Sequence, residues 1–224
     1  EREGKKVGLV YLEGDALKEA ISFVAMKNNE PMWKMEEMLG DSAKSAEIHK
    51  QLQEFKDSGL YIYNHKGAID LVSVYNKISY MAKGLKCEYI ILDNISISVA
   101  GNGTDTNERR EIDKMVFKLV SLINNTNCTI LNVVHLVKNR QDKEGKDIET
   151  ISRSDIHGSG AFAKFSHGLL GLERNSSNNT VKIKVLANRS KGIEGYADTL
   201  EYNESTGRLS VRADIKDIEL DILG

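Results

Sequence analysis

Short apolar runs and helical stripes alternate along this chain, and polar residues mark each change of direction. Residues 6–12 (KVGLVYL) form an apolar run of strand length that ends on Glu13. Gly14 and Asp15 then turn the chain into a helix with Leu17, Ala20, Ile21 and Val24 on one face. Pro31 and Gly40 break up residues 28–42. Ile48, Leu52 and Phe55 recur at helical spacing, and residues 60–64 read as a short strand. A helix follows over 68–83, with Leu71, Val74, Tyr75, Ile78, Met81 and Ala82 as its stripe and Gly84 placed to stop it. Residues 89–92 are a continuous apolar run with β-branched residues, too short for a comfortable helix. They predict a buried parallel strand ending on Asp93.

The second half repeats the alternation and then changes it. Residues 100–107 (AGNGTDTN) are a polar, glycine-containing loop with capping residues at its end. They lead into a long helix bearing Ile112, Met115, Val116, Leu119, Leu122 and Ile123, closed at 124–127. Residues 128–134 (CTILNVV) predict another apolar strand, which ends on His135. Residues 138–153 are charged and without periodicity, as in a mobile loop. A glycine-bearing turn, HGSGAFAKF, precedes an apolar strand at 169–172 that ends in Glu173 and Arg174. Strands are expected at 181–187, 199–202 and 209–211, the last two joined in a hairpin by a polar turn ending at Gly207. No internal repeat or low-complexity tract occurs.

Composition narrows the class. A chain of 224 residues accommodates one large domain, and 40% hydrophobic with 29% charged residues describes a soluble globular protein with a sizeable core. A net charge of -2 argues against holding nucleic acid by bulk electrostatics, so any such contact must come from a local cluster. Cys87 and Cys128 each stand at the start of an apolar strand, as buried small hydrophobes in a reducing compartment. No apolar run approaches membrane-spanning length, and EREGKK is not a signal peptide, so no membrane is expected and the protein is expected to be intracellular.

Three strands of the alternating pattern end on Glu13, Asp93 and His135. Parallel strands place their carboxyl ends on one edge of the sheet, where open α/β sheets bind ligands. The three side chains are therefore expected to converge, and the chemistry they suit is metal-assisted hydrolysis. One carboxylate holds the shell of a hydrated Mg2+, the second orients or deprotonates water, and the imidazole hydrogen-bonds a phosphate oxygen. A buried carboxylate needs a counter-charge, which Mg2+ would give Asp93. The competing reading of Asp93 is a cap on a turn or on the next helix. For His135 it is a satisfied core histidine.

The segments KKVGLVYLE, YMAKGLKCEYIILDNISI, NERREIDKMVFKL, VVHLVKN, DIHGSGAFAKFSHGLLGLERN and LANRSKGIEGYADTLEYNESTGRL are spread over residues 5–209, most of the length of the chain. In that order they resemble the helicase domain of ring-shaped replicative DNA helicases. The likeness is strongest toward bacteriophage primase–helicases, with mitochondrial Twinkle and bacterial DnaB more distant. The resemblance implies a RecA-like ATPase core over residues 1–212: a mostly parallel twisted sheet flanked by helices, with a C-terminal β-hairpin. An acidic tail, 213–224, follows.

By the same resemblance Glu13 activates the attacking water, Asp93 is the Walker B carboxylate behind Mg2+ (acting through water), and His135 reads the γ-phosphate. Arg189 matches the arginine finger that reaches the nucleotide of a neighbouring subunit. Arg174 and Tyr202 match residues that sandwich the base of the nucleotide, ATP or dTTP. Lys138, Arg140, Lys143 and Lys146 are implied contacts to the phosphates of single-stranded DNA. Acids are interleaved there (Asp142, Glu144, Asp147 and Glu149), so a solvated surface loop is the alternative. Gly158, Ser159 and Gly160, with Lys164, match a motif near the DNA channel, where glycine allows close backbone approach. The implied assembly is a ring homo-oligomer, a hexamer, that couples NTP hydrolysis to translocation on DNA and duplex unwinding. The tail would dock a polymerase or another replisome protein, or pack on its own domain. For a phage protein the compartment is the cytoplasm of the infected host cell.

The departures from that pattern are specific. No G-x-x-x-x-G-K-[ST] phosphate loop occurs in these residues. With it the first strand of the sheet and any primase domain are expected to be missing, and the chain alone is expected to bind little nucleotide. Ala187 stands where a basic residue often precedes the finger, Ala163 and Lys164 replace an Arg-Gln pair, and His157 replaces an arginine. Two other classes remain open: a RecA-like recombinase or clock-type ATPase, and a non-catalytic assembly or scaffold relative.

Overall fold

A computed structural model describes residues 4–65, 70–95, 105–136, 150–156 and 160–211. Strands β1 (Val7–Tyr11), β2 (Leu60–Asn64), β3 (Tyr89–Asp93) and β4 (Thr129–Asn132) form a parallel sheet in the order β2-β1-β3-β4. Val7 lies opposite Leu60 on one side and Tyr89 on the other, and Tyr89 lies opposite Thr129. All four carboxyl ends therefore share one edge. Val10, Ile90 and Leu92 are fully buried on the face that packs against the helices Leu71–Lys83 and Asp105–Thr126, while Tyr89 and Leu131 on the opposite face stay partly exposed.

Helix α1 (Ala16–Asn28) starts at Asp15, whose carboxylate accepts the Leu17 N–H at 2.7 Å, and ends at Asn29 in the left-handed region. With α2 (Met32–Gly40) and α3 (Ser45–Asp57) it encloses a cluster of Ile21, Val24, Ala25, Met35 and Ile48. The main core joins the sheet to α4 (Leu71–Lys83) and α5 (Asp105–Thr126) through Val74, Ile78, Ile112, Met115 and Leu119. At Gly8 in β1 an added Cβ would stand 2.7 Å from Met81 Sδ, so the bare backbone lets α4 seat closely on the sheet. Both cysteines are buried free thiols, as expected.

Four local expectations need correction or extension. Pro31 does stand in the break between α1 and α2, but it also opens a helix. It is the N-cap of α2, where its missing N–H removes one donor that a helix start leaves unsatisfied. Gly84 ends α4 in a right-handed conformation (φ -81°), and the positive φ falls two residues later on Lys86. Leu17 was expected on the inner face of α1 but is 58% exposed. The C-terminal third is more than a hairpin.

That third holds β5 (Gly168–Asn175), β6 (Thr180–Asn188), β7 (Gly195–Tyr202) and β8 (Leu209–Val211), an antiparallel sheet in chain order. The expected β7–β8 hairpin is its last step, with Gly207 at φ +71° in the turn. The parallel sheet flanked by helices is as expected, and the four C-terminal strands add a separate antiparallel sheet. Part of the expected glycine turn is helical, α6 (Gly160–Phe165), and Phe165 packs against Phe117 of α5 with ring centroids 4.7 Å apart. Most of the loop expected at 138–153 lies outside the described residues. Its last residues do not float: Ile151 is buried, and Arg153–Asp155 form a 3-10 turn with a reciprocal Ser152–Asp155 cap.

Candidate functional site

The carboxyl edge of the parallel sheet brings together side chains from three strands. Glu13 follows β1 by two residues, Asp93 ends β3, and His135 lies three residues beyond β4. His135 Nε2 stands 3.1 Å from Glu13 Oε1. Leu12 donates its N–H to the Asp93 carbonyl at 2.7 Å, and Val133 donates to Leu92, so backbone bonds beyond the strands hold this edge in register. The convergence expected from the sequence is present.

Between Glu13 and His135 lies a residue to which the sequence assigned no role. Asn94 is fully buried, and its Nδ2 donates to Glu13 Oε1 and approaches His135 Nε2 at 2.6 Å. A fully buried amide must be bonded, and here its partners are the two candidate catalytic groups. The proton on His135 Nε2 decides the pattern. With Nε2 bare, the ring accepts from Asn94; with Nε2 protonated, it donates to Glu13.

Burial pushes the Asp93 carboxyl up, and the charges of Glu13 and Glu19 push it further, against a smaller pull from His135. Two carboxylates at one sheet edge with so little positive charge suit a cation. Among the described residues no group of three metal-ligating side chains exists, so protein atoms alone do not form a cage. That fits a hydrated Mg2+ held by one carboxylate and by the substrate's own oxygens. Burial, followed by a hydrogen bond from its phenol to Glu19, likewise raises Tyr11 beside the site.

A second group of candidates lies on the antiparallel sheet. The guanidinium carbon of Arg174, in β5, sits 5.3 Å from the ring centroid of Tyr202, in β7. The pair expected to hold a base is thus assembled, stacked on itself. Arg189 follows β6 and is exposed. Its guanidinium donates to the Lys164 carbonyl and its N–H to the His167 carbonyl at 2.9 Å. Those bonds close the last turn of α6; they do not go to Glu13, Asp93 or His135.

Lys164 is exposed, with Nζ 5.5 Å from the Phe165 ring. At Gly160 an added Cβ would meet nothing within 4 Å, so no close approach inside this chain requires glycine there. Lys138, Arg140, Lys143, Lys146, Gly158, Ser159 and the tail 213–224 lie outside the described residues. A cavity of about 480 Å³ lies among Val7, Phe23, Met26, Phe55, Leu60 and Arg208. It opens at the amino ends of β1 and β2, away from the Glu13 edge, so cavity size does not mark the chemistry here. No described helix is long and apolar enough to cross a membrane.

No protein-family model matches the chain. The chain is similar to the DNA helicase/primase of Enterobacteria phage T3, with 29% identity over 212 residues. That match takes in 93% of this chain and 37% of the relative, so the chain spans little more than a third of that protein's length. Among solved structures, the ATPase domain of G40P superposes with a TM-score of 0.72 at 16% identity, over 94% of this chain and 76% of the other. A DnaB-like replicative helicase, described with its interactions with primase, gives the same TM-score and identity over 93% of this chain and 51% of the other. The fold is that of the RecA-like ATPase domains of DnaB-like helicases.

Proposed function

We propose that this chain is the motor part of a replicative DNA helicase, which couples NTP hydrolysis between subunits of a ring to movement along single-stranded DNA. The observation that carries the reading is the contact of Glu13 and His135 through Asn94, with Asp93 beside them, at the shared edge of three parallel strands. The similarity to a phage DNA helicase/primase over nearly the whole chain supports the choice of a helicase over other ATPases of this fold.

In this reading Glu13 takes a proton from the attacking water, and Asn94 aims its carboxylate. Asp93 would hold Mg2+ through water, where the cation would offset charge on the phosphates of ATP or dTTP. His135 hydrogen-bonds the γ-phosphate. Arg174 and Tyr202 part to admit the base between them. Arg189, on the exposed turn after β6, reaches the nucleotide of a neighbouring subunit in a hexameric ring, where it stabilises charge developing on the phosphates. Lys138, Arg140, Lys143 and Lys146, with the 158–160 motif and Lys164, meet the DNA phosphates. The acidic tail docks a polymerase or another replisome protein in the cytoplasm of an infected host cell.

The test is Glu13→Gln in the complete protein. Nucleotide binding is expected to persist while turnover falls by about 10²–10⁴-fold. Turnover at the normal rate would remove Glu13 as the base and the motor reading with it.

A further inference from the structure

Where residues 150–156 rejoin the antiparallel sheet, side chains hold the backbone in place of strand pairing. The Ile151 N–H donates to Glu173 Oε1 at 2.7 Å, and Lys184 Nζ donates to the Ile151 carbonyl at 3.0 Å. One peptide segment is thus held at its donor and at its acceptor by opposite charges from β5 and β6. Tyr196 of β7 donates its hydroxyl to Glu173 Oε2 at 2.9 Å, and the ammonium groups of Lys182 and Lys184 lie 5.5 and 5.4 Å from its ring centroid. Ile151 itself is 3% exposed, and an added Cβ at Gly171 would stand 3.2 Å from its Cγ2. Arg153 donates through Nε to the Leu186 carbonyl at 2.6 Å and pairs with Glu194.

The same segment reaches the other half of the molecule. Ile156 forms an antiparallel bridge with Leu136, the residue after His135. On β5, Glu173 and Arg174 are consecutive, so their side chains leave opposite faces of one strand. Glu173 turns to Ile151 while Arg174 turns to Tyr202. A continuous set of contacts therefore runs from the base-stacking pair, across β5, through Glu173 and residues 151–156, to His135 and Glu13.

We infer that Glu173 is a positioning residue that, with Lys184 and Tyr196, couples the Arg174–Tyr202 pair to the Glu13–His135 edge. This rests on the motor reading given above. Ile151 is held through a carboxylate and an ammonium on neighbouring strands, so a shift of β5 relative to β6 moves it. The bridge to Leu136 passes that movement to His135. The described hydrogen bonds of Glu173 go to Ile151 and Tyr196 and not to Glu13, Asp93 or His135, so its effect is expected in the response to DNA and not in basal hydrolysis.

The experiment compares the complete wild-type protein with Glu173→Ala, Glu173→Gln and Tyr196→Phe, measuring NTP hydrolysis with and without a single-stranded oligo-dT. In Glu173→Ala, hydrolysis without DNA is expected to stay within about twofold of wild type, while stimulation by DNA falls at least about tenfold. Glu173→Gln keeps an acceptor for the Ile151 N–H and is expected to recover part of the stimulation. Tyr196→Phe removes only the support of Glu173 and is expected to fall between wild type and Glu173→Ala. Full stimulation in Glu173→Ala would overturn the coupling while leaving the motor reading intact. A wild-type protein that hydrolyses NTP with no response to DNA overturns the motor reading, and the coupling goes with it.

Discussion

The two sheets of this protein handle their apolar residues in opposite ways. In the parallel sheet Val10, Ile90 and Leu92 are sealed beneath α4 and α5. In the antiparallel sheet Leu170 and Leu172 of β5 are 66% and 60% exposed, and Leu209 and Val211 of β8 are exposed too. The sealed half carries the acids and imidazole, which need fixed distances and a low-dielectric floor to work on a proton. The open half carries Arg174, Tyr202 and Arg189, groups whose proposed tasks are stacking and reaching. In the proposed reading, the proton chemistry sits on the half with the larger described core, and the stacking and reaching groups sit on the more open half.

The strongest way to break that comparison is at Arg189. In the complete protein Arg189→Ala is expected to lower DNA-stimulated hydrolysis by about 10³–10⁵-fold while nucleotide binding is largely kept. Loss of binding with hydrolysis retained would move Arg189 out of the finger role and leave it as a cap for α6.

Core truncation sharpens the contrast in stability. Ile90→Ala, in the sealed sheet, is expected to cost about 2–5 kcal/mol in urea unfolding. Leu170→Ala, on the open one, is expected to change stability by no more than about 0.5 kcal/mol. Equal losses at both positions would mean that something covers β5 in solution.

The smallest effect is electrostatic. The fold raises Asp93 above its ordinary value, so this carboxyl costs stability as the pH rises past its unfolded pKa, and costs it in full above the raised one. Asp93→Asn in metal-free buffer is therefore expected to raise the thermal midpoint slightly at pH 8. The gain should disappear as the pH falls below about 3.9, where both folded and unfolded carboxyls are protonated. A variant less stable than wild type at pH 8 would show that Asp93 is held by partners, not opposed by neighbours.

Sequence reading worked where periodicity and position fix the answer. The residues 60–64 and 89–93 are strands at the expected bounds, and three chain-distant polar side chains meet because parallel strands give no other choice. It failed where one residue type serves two purposes. Pro31 both breaks the chain after α1 and starts α2, because the N–H that proline lacks is not needed at a helix start. The sequence assigns Asn94 no role, and only the folded edge shows it buried beside Glu13 and His135. The apolar string of β5 cannot say which of its leucines face inward, because glycines interrupt the alternation on which that decision depends.

The sheets also end in an instructive way. Strand β4 is at one end of the parallel sheet and β5 at one end of the antiparallel sheet. Leu131 and Val133 are exposed at the first edge, and Leu170 and Leu172 at the second. Among the described strands none pairs beyond β4 or β5, and such a margin beside greasy side chains accepts an extended peptide. Purified as this stretch alone, the polypeptide should be prone to clumping at high concentration, and a short added peptide able to lie along either margin should keep it dispersed.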